Sequence, residues 1–246
     1  MIKLSETIDR RVRASPLTEP MGKERVRCLA CGHRCPIPEG QRGVCKVRFN
    51  RRGVLYAPWG YVAGLHNDPI EKKPFFHVQP GSLALSFGML GCNLHCPYCQ
   101  NWITSQALRD PQAGAPVQEA APEQLVRIAL EAGSSSVIST YNEPLITAEW
   151  AAAIFEPAHR AGLLTGFVSN GYATPDVLDY LRPHLDLFKV DLKTFRDSQY
   201  RRLGGRLEPV LDSIRRIHAL GFWLEVVTLV VPGFNDSAEE LRDIAG

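Results

Sequence analysis

From residue 82 onward the chain alternates short apolar runs with longer amphipathic stretches. The runs "SLALSFGM" (from 82), "SVISTY" (136–141), "LTGFVSNG" (164–171), "DLFKVDLK" (186–193) and "FWLEVVTLVVPG" (222–233) are rich in β-branched and aromatic residues, and each reads as a buried strand. Between them lie helical patterns. "PEQLVRIALEAG" (122–133) has Pro122 in its first turn, Leu125, Ile128 and Ala129 on one face, and a glycine stop. "TAEWAAAIFEPAHRAG" (147–162) is helical, with Thr147 as its cap and a kink expected at Pro157. "TPDVLDYL" starts a helix at Thr174 and Pro175, and "LEPVLDSIRRIHALG" (207–221) ends one at a glycine. Ser237 and Glu240 are spaced as a capping box for a last helix.

Five strand–helix repeats with buried strands predict an α/β fold with a parallel sheet. Five strands are too few to close an eight-stranded barrel, so a partial (βα) barrel is expected over 82–246. Ligands in such folds bind at the C-terminal ends of the strands. There the sequence sets "GCNLHCPYC", "YNEP", "SNGY", "DLK" and "VPGFND", so the polar residues collect on one rim. Upstream the pattern is different. Residues 1–24 predict a short helix or irregular arm. Residues 25–60 are rich in Cys, Gly, Pro and Arg, and need a metal to hold them. Residues 1–60 thus form an N-terminal arm and cysteine segment, and 61–81 reads as a connecting stretch.

Composition narrows the class. No run of 18 apolar residues marks a membrane span, and the N-terminus has no long apolar signal region, so cytoplasmic residence is the expectation. The net charge of +2 is unevenly placed: residues 1–52 hold 13 Lys or Arg against 5 Asp or Glu. A solvated basic face explains this most simply; charge compensation for an anionic thiolate centre, or docking of an acidic partner, are the sharper alternatives. No nucleic-acid-reading module is present, and no nucleic-acid partner is expected.

All seven cysteines fall in two groups. Cys28, Cys31, Cys35 and Cys45 have the spacing C-x2-C-x3-C-x9-C. Four thiolates fill a tetrahedral site, so a structural zinc ion is the natural reading; a second [4Fe–4S] cluster satisfies the same ligand count. Cys92, Cys96 and Cys99 have the spacing C-x3-C-x2-C. Three thiolates on a cubic [4Fe–4S] cluster leave one iron to be chelated by the amino and carboxylate groups of a small molecule, and S-adenosylmethionine offers both. The competing reading is a zinc site completed by His95. Taken singly, Glu143 could simply cap the following helix, Asn170-Gly171 could be a turn, and Asp191 and Lys193 could be ion-paired. His66, His77 and His159 have no visible partner in sequence.

"CNLHCPYC", with Tyr98 before the last cysteine, resembles the signature of the radical S-adenosylmethionine superfamily. The wider chain is similar to enzymes related to the pyruvate formate-lyase activating enzyme, and within these to the AmmeMemoRadiSam-system radical SAM enzymes. The shared stretches are the upstream cysteines, "DPIEKKPFFHVQPGS", "TYNEP", "SNGY", "KVDLK", "YRRLGG" and "VVPGFNDS". The resemblance implies an iron–sulfur oxidoreductase in which a [4Fe–4S] cluster held by Cys92, Cys96 and Cys99 reductively cleaves S-adenosylmethionine. The resulting 5′-deoxyadenosyl radical takes hydrogen from an unknown substrate. It places Tyr98 near the adenine, and Asn142 and Glu143 where the superfamily's Gly-Gly-Glu meets the cofactor's amino group. Ser169 and Asn170 would lie near the ribose and carboxylate, Asp191 and Lys193 would face the pocket, and Val231, Pro232 and Gly233 would border the adenine. An electron donor such as flavodoxin or ferredoxin is implied, and a protein is a candidate substrate. Activation of a glycyl-radical enzyme is the alternative reaction; a non-catalytic metal-binding or electron-transfer module is the alternative of another class. The superfamily core has six strands, so a chain ending within the fifth helix is expected to be truncated before the last strand, with an open edge at 222–231 unless another segment covers it.

Overall fold

The computed structural model describes residues 4–246; the first three residues of the expected N-terminal arm lie outside them. Six strands form the main sheet: β1 Gly64–Pro69, β2 Leu83–Gly88, β3 Ser136–Ser139, β4 Leu164–Ser169, β5 Leu187–Asp191 and β6 Trp223–Val227. Their spatial order is β6-β5-β4-β3-β2-β1. The five strands expected from the apolar runs are all parallel, in registers such as Ser136 opposite Ala84 and Leu164, and Leu187 opposite Trp223. The main helices between them are α1 Pro122–Glu131, α2 Ala148–Arg160, α3 Pro175–Leu181 and α4 Glu208–Ala219, with short helical turns at Trp102–Ser105 and Asp197–Arg202, and α5 Ala238–Ala245 follows β6. The helix face of the sheet is a hydrophobic layer in which Phe87, Phe155, Phe167, Phe188 and Phe222 follow one another edge to face, ring centres 5.8–6.1 Å apart. Each of these rings is buried, which contributes on the order of 2 kcal/mol apiece.

The stretch 61–81 does more than connect. Gly64–Pro69 pairs antiparallel with β2, from Gly64 opposite Gly88 to Pro69 opposite Leu83. The residues after it cross beneath the inner face of the sheet, where Ile70, Phe75 and Val78 pack on Ala84, Ile138 and Leu187. At the far edge, the Glu225 carboxylate accepts hydrogen bonds from the Phe76 and His77 backbone N–H groups at 2.8 and 3.1 Å. This strap therefore runs from one sheet edge to the other and floors the half-barrel. Strand alternation in "GLHNDP" is polar at most positions because β1 is an edge strand with only its β2 side paired, so the sequence pattern conceals it. The opposite edge, β6, has no paired strand outside it among the described residues, and Trp223 and Val226 are exposed there.

Helix ends follow the sequence in part. Thr174 caps α3, accepting from the Val177 N–H at 3.2 Å, and Ser237 caps α5 in the same way through the Glu240 N–H. Two expectations are corrected. Thr147 makes no side-chain cap; a 3-10 turn over Pro144–Thr147 precedes α2, and the Thr147 hydroxyl donates to the Pro144 carbonyl instead. Glu240 does not reach back to close the capping box, because its buried carboxylate is taken by the Thr194 hydroxyl and the Phe195 N–H. Helix α2 continues through Pro157 to Arg160.

The cysteine segment is built from short antiparallel strands, Thr18–Pro20, Val26–Cys28 and Pro36–Ile37, beside a second set formed by Val12–Ala14, Phe49–Arg51 and Val54–Pro58. Val26, Ile37, Val47 and Leu55 join the main core, so this segment packs against the barrel. Buried Arg48 fixes the join: it donates to the Ile146 carbonyl and to Ser15 Oγ at 2.8 and 3.0 Å, and pairs with the buried carboxylate of Glu149 in the first turn of α2.

Candidate functional site

The rim predicted from the strand ends is a real concave site. Cys92, Cys96 and Cys99, in the loop after β2, line one cavity of about 110 Å³ together with Glu143, Ser169 and Asn170. Asn142, Asp191 and Lys193 line the same cavity. A second cavity of about 480 Å³ shares Cys96, Cys99, Asp191 and Lys193 with it and adds Tyr98 on its wall. His95, the sequence alternative as a fourth metal ligand, is exposed outside these cavities, its backbone N–H bound to the Leu203 carbonyl.

Glu143 is the organising group. It is 2% exposed, and its carboxylate accepts hydrogen bonds from the Leu145 N–H (3.0 Å), the Ser169 hydroxyl (2.7 Å) and the Asn170 N–H (2.9 Å). It thus caps the next turn, as its sequence suggests, and also ties the end of β4 to the "YNEP" loop. Burial pushes its carboxyl up to about 6 although these donors pull the other way. Asn170 extends the network, its amide donating to Asn93 Oδ1 at 2.7 Å, next to Cys92. Asn142 faces inward from the same loop, and its Oδ1 accepts the Met89 N–H at 3.0 Å. On the other wall, Asp191 pairs with Lys193 at 2.9 Å and with Lys189.

Tyr141 holds a left-handed backbone, φ +68°, where the superfamily pattern has glycine. Its conformation is over-determined: the hydroxyl meets Lys73 Nζ and Ser86 Oγ, both at 2.8 Å, and the Tyr141 side chain lies over Gly88. A Cβ at Gly88 would stand 2.4 Å from the Thr140 carbonyl oxygen and 2.8 Å from Tyr141 Cβ. Gly88→Ala is therefore expected to displace the "TYNEP" loop and cost about 1–3 kcal/mol, read as a lowered Tm in a thermal melt. An unchanged Tm would show that the loop yields freely.

Val231, Pro232 and Gly233 do not border either cavity. Strand β6 ends at Val227, and the loop after it is clasped by buried Asn235, which accepts the Val231 N–H at 2.7 Å and donates to the Lys193 and Leu229 carbonyls. That clasp turns 231–233 outward, and Val227, Thr228 and Leu229 take the wall position instead. Residues that sequence reasoning missed are Lys72, Lys73, Tyr141 and Lys189. Lys189 carried a signal: it is the one charge inside the otherwise apolar run "LFKV" of β5.

The donor set fits an iron–sulfur cluster. Soft thiolate ligands suit iron–sulfur chemistry, and each would serve a different iron. Among the described residues, neither these three thiols nor the N-terminal four stand as a ready-made set for a single metal ion. Burial pushes the Cys92 and Cys96 thiols up, while the Lys193 ammonium opposes this at Cys96. In the N-terminal group Cys28, Cys31 and Cys45 are buried and Cys35 half-buried, all four are free thiols, and burial raises each. The two cysteine regions touch: Arg109 donates to the Val44 and Cys92 carbonyls at 3.1 and 3.2 Å, and a His33 ring nitrogen lies 2.9 Å from the Asn93 carbonyl oxygen.

A mostly parallel half-barrel with three thiols gathered at its strand ends is an architecture able to hold a thiolate-bound cluster on its rim. The Radical SAM superfamily model matches residues 88–245, and the chain belongs to that superfamily. Its members are enzymes that use a [4Fe–4S] cluster and S-adenosylmethionine. A protein of Methanocaldococcus jannaschii described as uncharacterized protein MJ0808 is 36% identical over 231 residues, 94% of this chain and 68% of that one. The pyruvate formate-lyase-activating enzyme of Clostridium pasteurianum is 25% identical over 162 residues, 63% of this chain and 65% of that one. The chain thus spans about two thirds of the length of these two relatives. In fold it is similar to a radical SAM methyltransferase from Sphaerobacter thermophilus, with a TM-score of 0.51 at 16% identity over 68% of this chain and 52% of that one. No helix among the described residues is long and apolar enough to cross a membrane.

Proposed function

We propose that this chain binds a [4Fe–4S] cluster through Cys92, Cys96 and Cys99 and uses it to cleave S-adenosylmethionine reductively. The observation that carries this reading is the single cavity shared by the three thiols, Glu143, Asn170, Asp191 and Lys193. When bound, the cluster would supply one electron and the cofactor a sulfonium carbon–sulfur bond to accept it, and their chemistry would give methionine and, after hydrogen abstraction, 5′-deoxyadenosine. The chain's own groups do the rest. Glu143 offers a negative charge to the cofactor's amino group, and Lys193 a positive one to its carboxylate. Ser169 and Asn170 hold Glu143 in place. Tyr98, packed against Phe234 with ring centres 5.3 Å apart, supplies an apolar wall for the adenine. Cys28, Cys31, Cys35 and Cys45 hold a second centre, zinc or iron–sulfur, and a flavodoxin or ferredoxin supplies electrons. The similarity to an enzyme named for activating pyruvate formate-lyase supports a second reading, in which the substrate is a glycyl-radical protein.

The test is anaerobic reconstitution with iron and sulfide, then incubation with dithionite and S-adenosylmethionine. 5′-Deoxyadenosine is expected from the wild type and absent from Cys96→Ala. A fully loaded wild-type chain that yields none would instead be a non-catalytic metal or electron-transfer module. Iron and zinc counts on the triple Cys92→Ala/Cys96→Ala/Cys99→Ala chain identify the N-terminal centre: retained zinc without iron means zinc, and retained iron means a cluster.

A further inference from the structure

The larger cavity carries more positive charge than the cofactor chemistry uses. Lys72, Lys73, Lys189 and Lys193 all line it, against the one carboxylate of Asp191. Lys73 and Lys189 are 5% and 3% exposed, so their ammonium groups have given up most of their water. Burying an ammonium is costly unless a counter-charge compensates it. The compensation on hand is incomplete. Asp191 is shared by Lys189 and Lys193, and Asp68 is shared by Lys72 and Lys73, at 3.1 and 2.9 Å. Two carboxylates therefore serve four ammonium groups. Burial, and then the Lys193 charge, pull the Lys189 ammonium below its ordinary range, as expected for a cation short of partners.

S-adenosylmethionine does not make up the difference. It carries a sulfonium, an ammonium and one carboxylate, so it is net positive, and the reduced cluster with its three thiolates, about −2 overall, offsets the cofactor and only about one of the excess lysine charges. Nor does the thiolate site draw on all four lysines. Lys193 is the cation whose charge bears on Cys96, Tyr98 and Glu143, whereas the contacts of Lys73 and Lys189 are with Asp68, Tyr141 and Asp191. Lys73 is held instead on the cavity floor by Asp68 and the Tyr141 hydroxyl, and Lys189 rises from the middle of β5. Beside them lie apolar groups, Pro74, Val168, Val227 and Leu229. Two buried, preorganised ammonium groups with an apolar wall in a cavity of about 480 Å³ are the features of a small-molecule oxyanion site.

We propose that this cavity admits a substrate bearing a phosphate or carboxylate group, and that Lys73 and Lys189 hold that group. The inference rests on the reading of the adjoining thiol cavity as the place where the radical is generated, since only then is the bound molecule the substrate. It extends that reading by naming the substrate's chemical class.

The experiment titrates the cluster-loaded chain, with S-adenosylmethionine present, with inorganic phosphate and separately with succinate by calorimetry. Saturable binding at one site is expected for at least one of them, and the tighter of the two identifies the group. Lys73→Met/Lys189→Met is expected to weaken that binding by about tenfold or more, since each lysine makes a charge-assisted hydrogen bond. Because the double substitution alters two buried positions, a wild-type measurement accompanies it. The anion should slow acetylation of Lys73 and Lys189 by acetic anhydride, read by peptide mass spectrometry, while exposed lysines react unchanged. Absence of saturable binding, equal binding by the double variant, or unprotected lysines would overturn the proposal. 5′-Deoxyadenosine is measured on the same samples. Its formation without anion binding overturns this inference alone; anion binding without its formation overturns the catalytic reading and, with it, the assignment of the anion as substrate.

Discussion

Glu149→Leu is expected to destabilise the chain by about 3–5 kcal/mol, measured as a lowered urea midpoint with little change in slope. Arg48 and Glu149 are 1% and 4% exposed at the side chain. Burial by itself favours loss of the Arg48 charge, but the Glu149 carboxylate outweighs it and holds the guanidinium charged. Without Glu149 that charge keeps only the Ile146 carbonyl and Ser15 Oγ, and Ser15 in turn loses the carboxylate to which its hydroxyl donates. The large cost comes from stranding a buried cation, not from losing one attractive pair. The matching control is Arg48→Met/Glu149→Leu, which removes both charges and should recover most of the loss. The consequence is also local. Arg48 lies three residues beyond Cys45, and Glu149 is in the first turn of α2, so the pair pins the cysteine segment to the barrel. In Glu149→Leu, proteolysis within residues 25–60 should outpace cleavage of the barrel. Stability equal to wild type would mean that packing of Val26, Ile37, Val47 and Leu55 alone holds the segment.

How far the sequence could be read depended on which physical signal each feature left. The five parallel strands were legible because both faces are covered, which forces continuous apolar runs. The thiols, Glu143, Asn170 and Asp191 were legible because strand ends collect on one rim. The strap over 61–81 was not. β1 is an edge strand with mixed polarity, and the residues that follow gain their burial from β3 and β5, far away in sequence. Lys73 was hidden for the same reason: "EKKP" looks solvent-exposed until the strap folds under the sheet. The course of 231–233 away from the two cavities was not legible, because a single side chain, Asn235, redirects the loop through its bonds to the Lys193 and Leu229 carbonyls. The Thr147 cap failed because Pro144 starts a 3-10 turn ahead of the helix.

Glu143→Ala is expected to lower stability by about 2–4 kcal/mol and to reduce 5′-deoxyadenosine formation to near background. Three donors lose their acceptor together: the Leu145 and Asn170 N–H groups and the Ser169 hydroxyl. Each buried unsatisfied donor costs about 1–3 kcal/mol, and water entering the adjoining cavity offsets part of the sum. The functional loss would exceed the structural one, because the same side chain carries the proposed contact to the cofactor's amino group. Glu143→Gln separates the two effects. One oxygen remains to accept, so stability recovers in part, but the negative charge is gone and cofactor cleavage should not recover. A pH series adds a signature specific to this carboxyl. Its folded-state value is raised to about 6, so the folded chain holds the proton more tightly than the unfolded chain does. That contribution to stability is complete below the ordinary glutamate range and is lost as pH rises through about 6. Between those limits wild-type stability should therefore decline with pH relative to Glu143→Gln, by on the order of 1–2 kcal/mol. Parallel curves for the two proteins would show that Glu143 titrates as an ordinary, solvated glutamate. The three backbone and side-chain bonds would then not be holding a desolvated carboxylate at the wall of the thiol cavity.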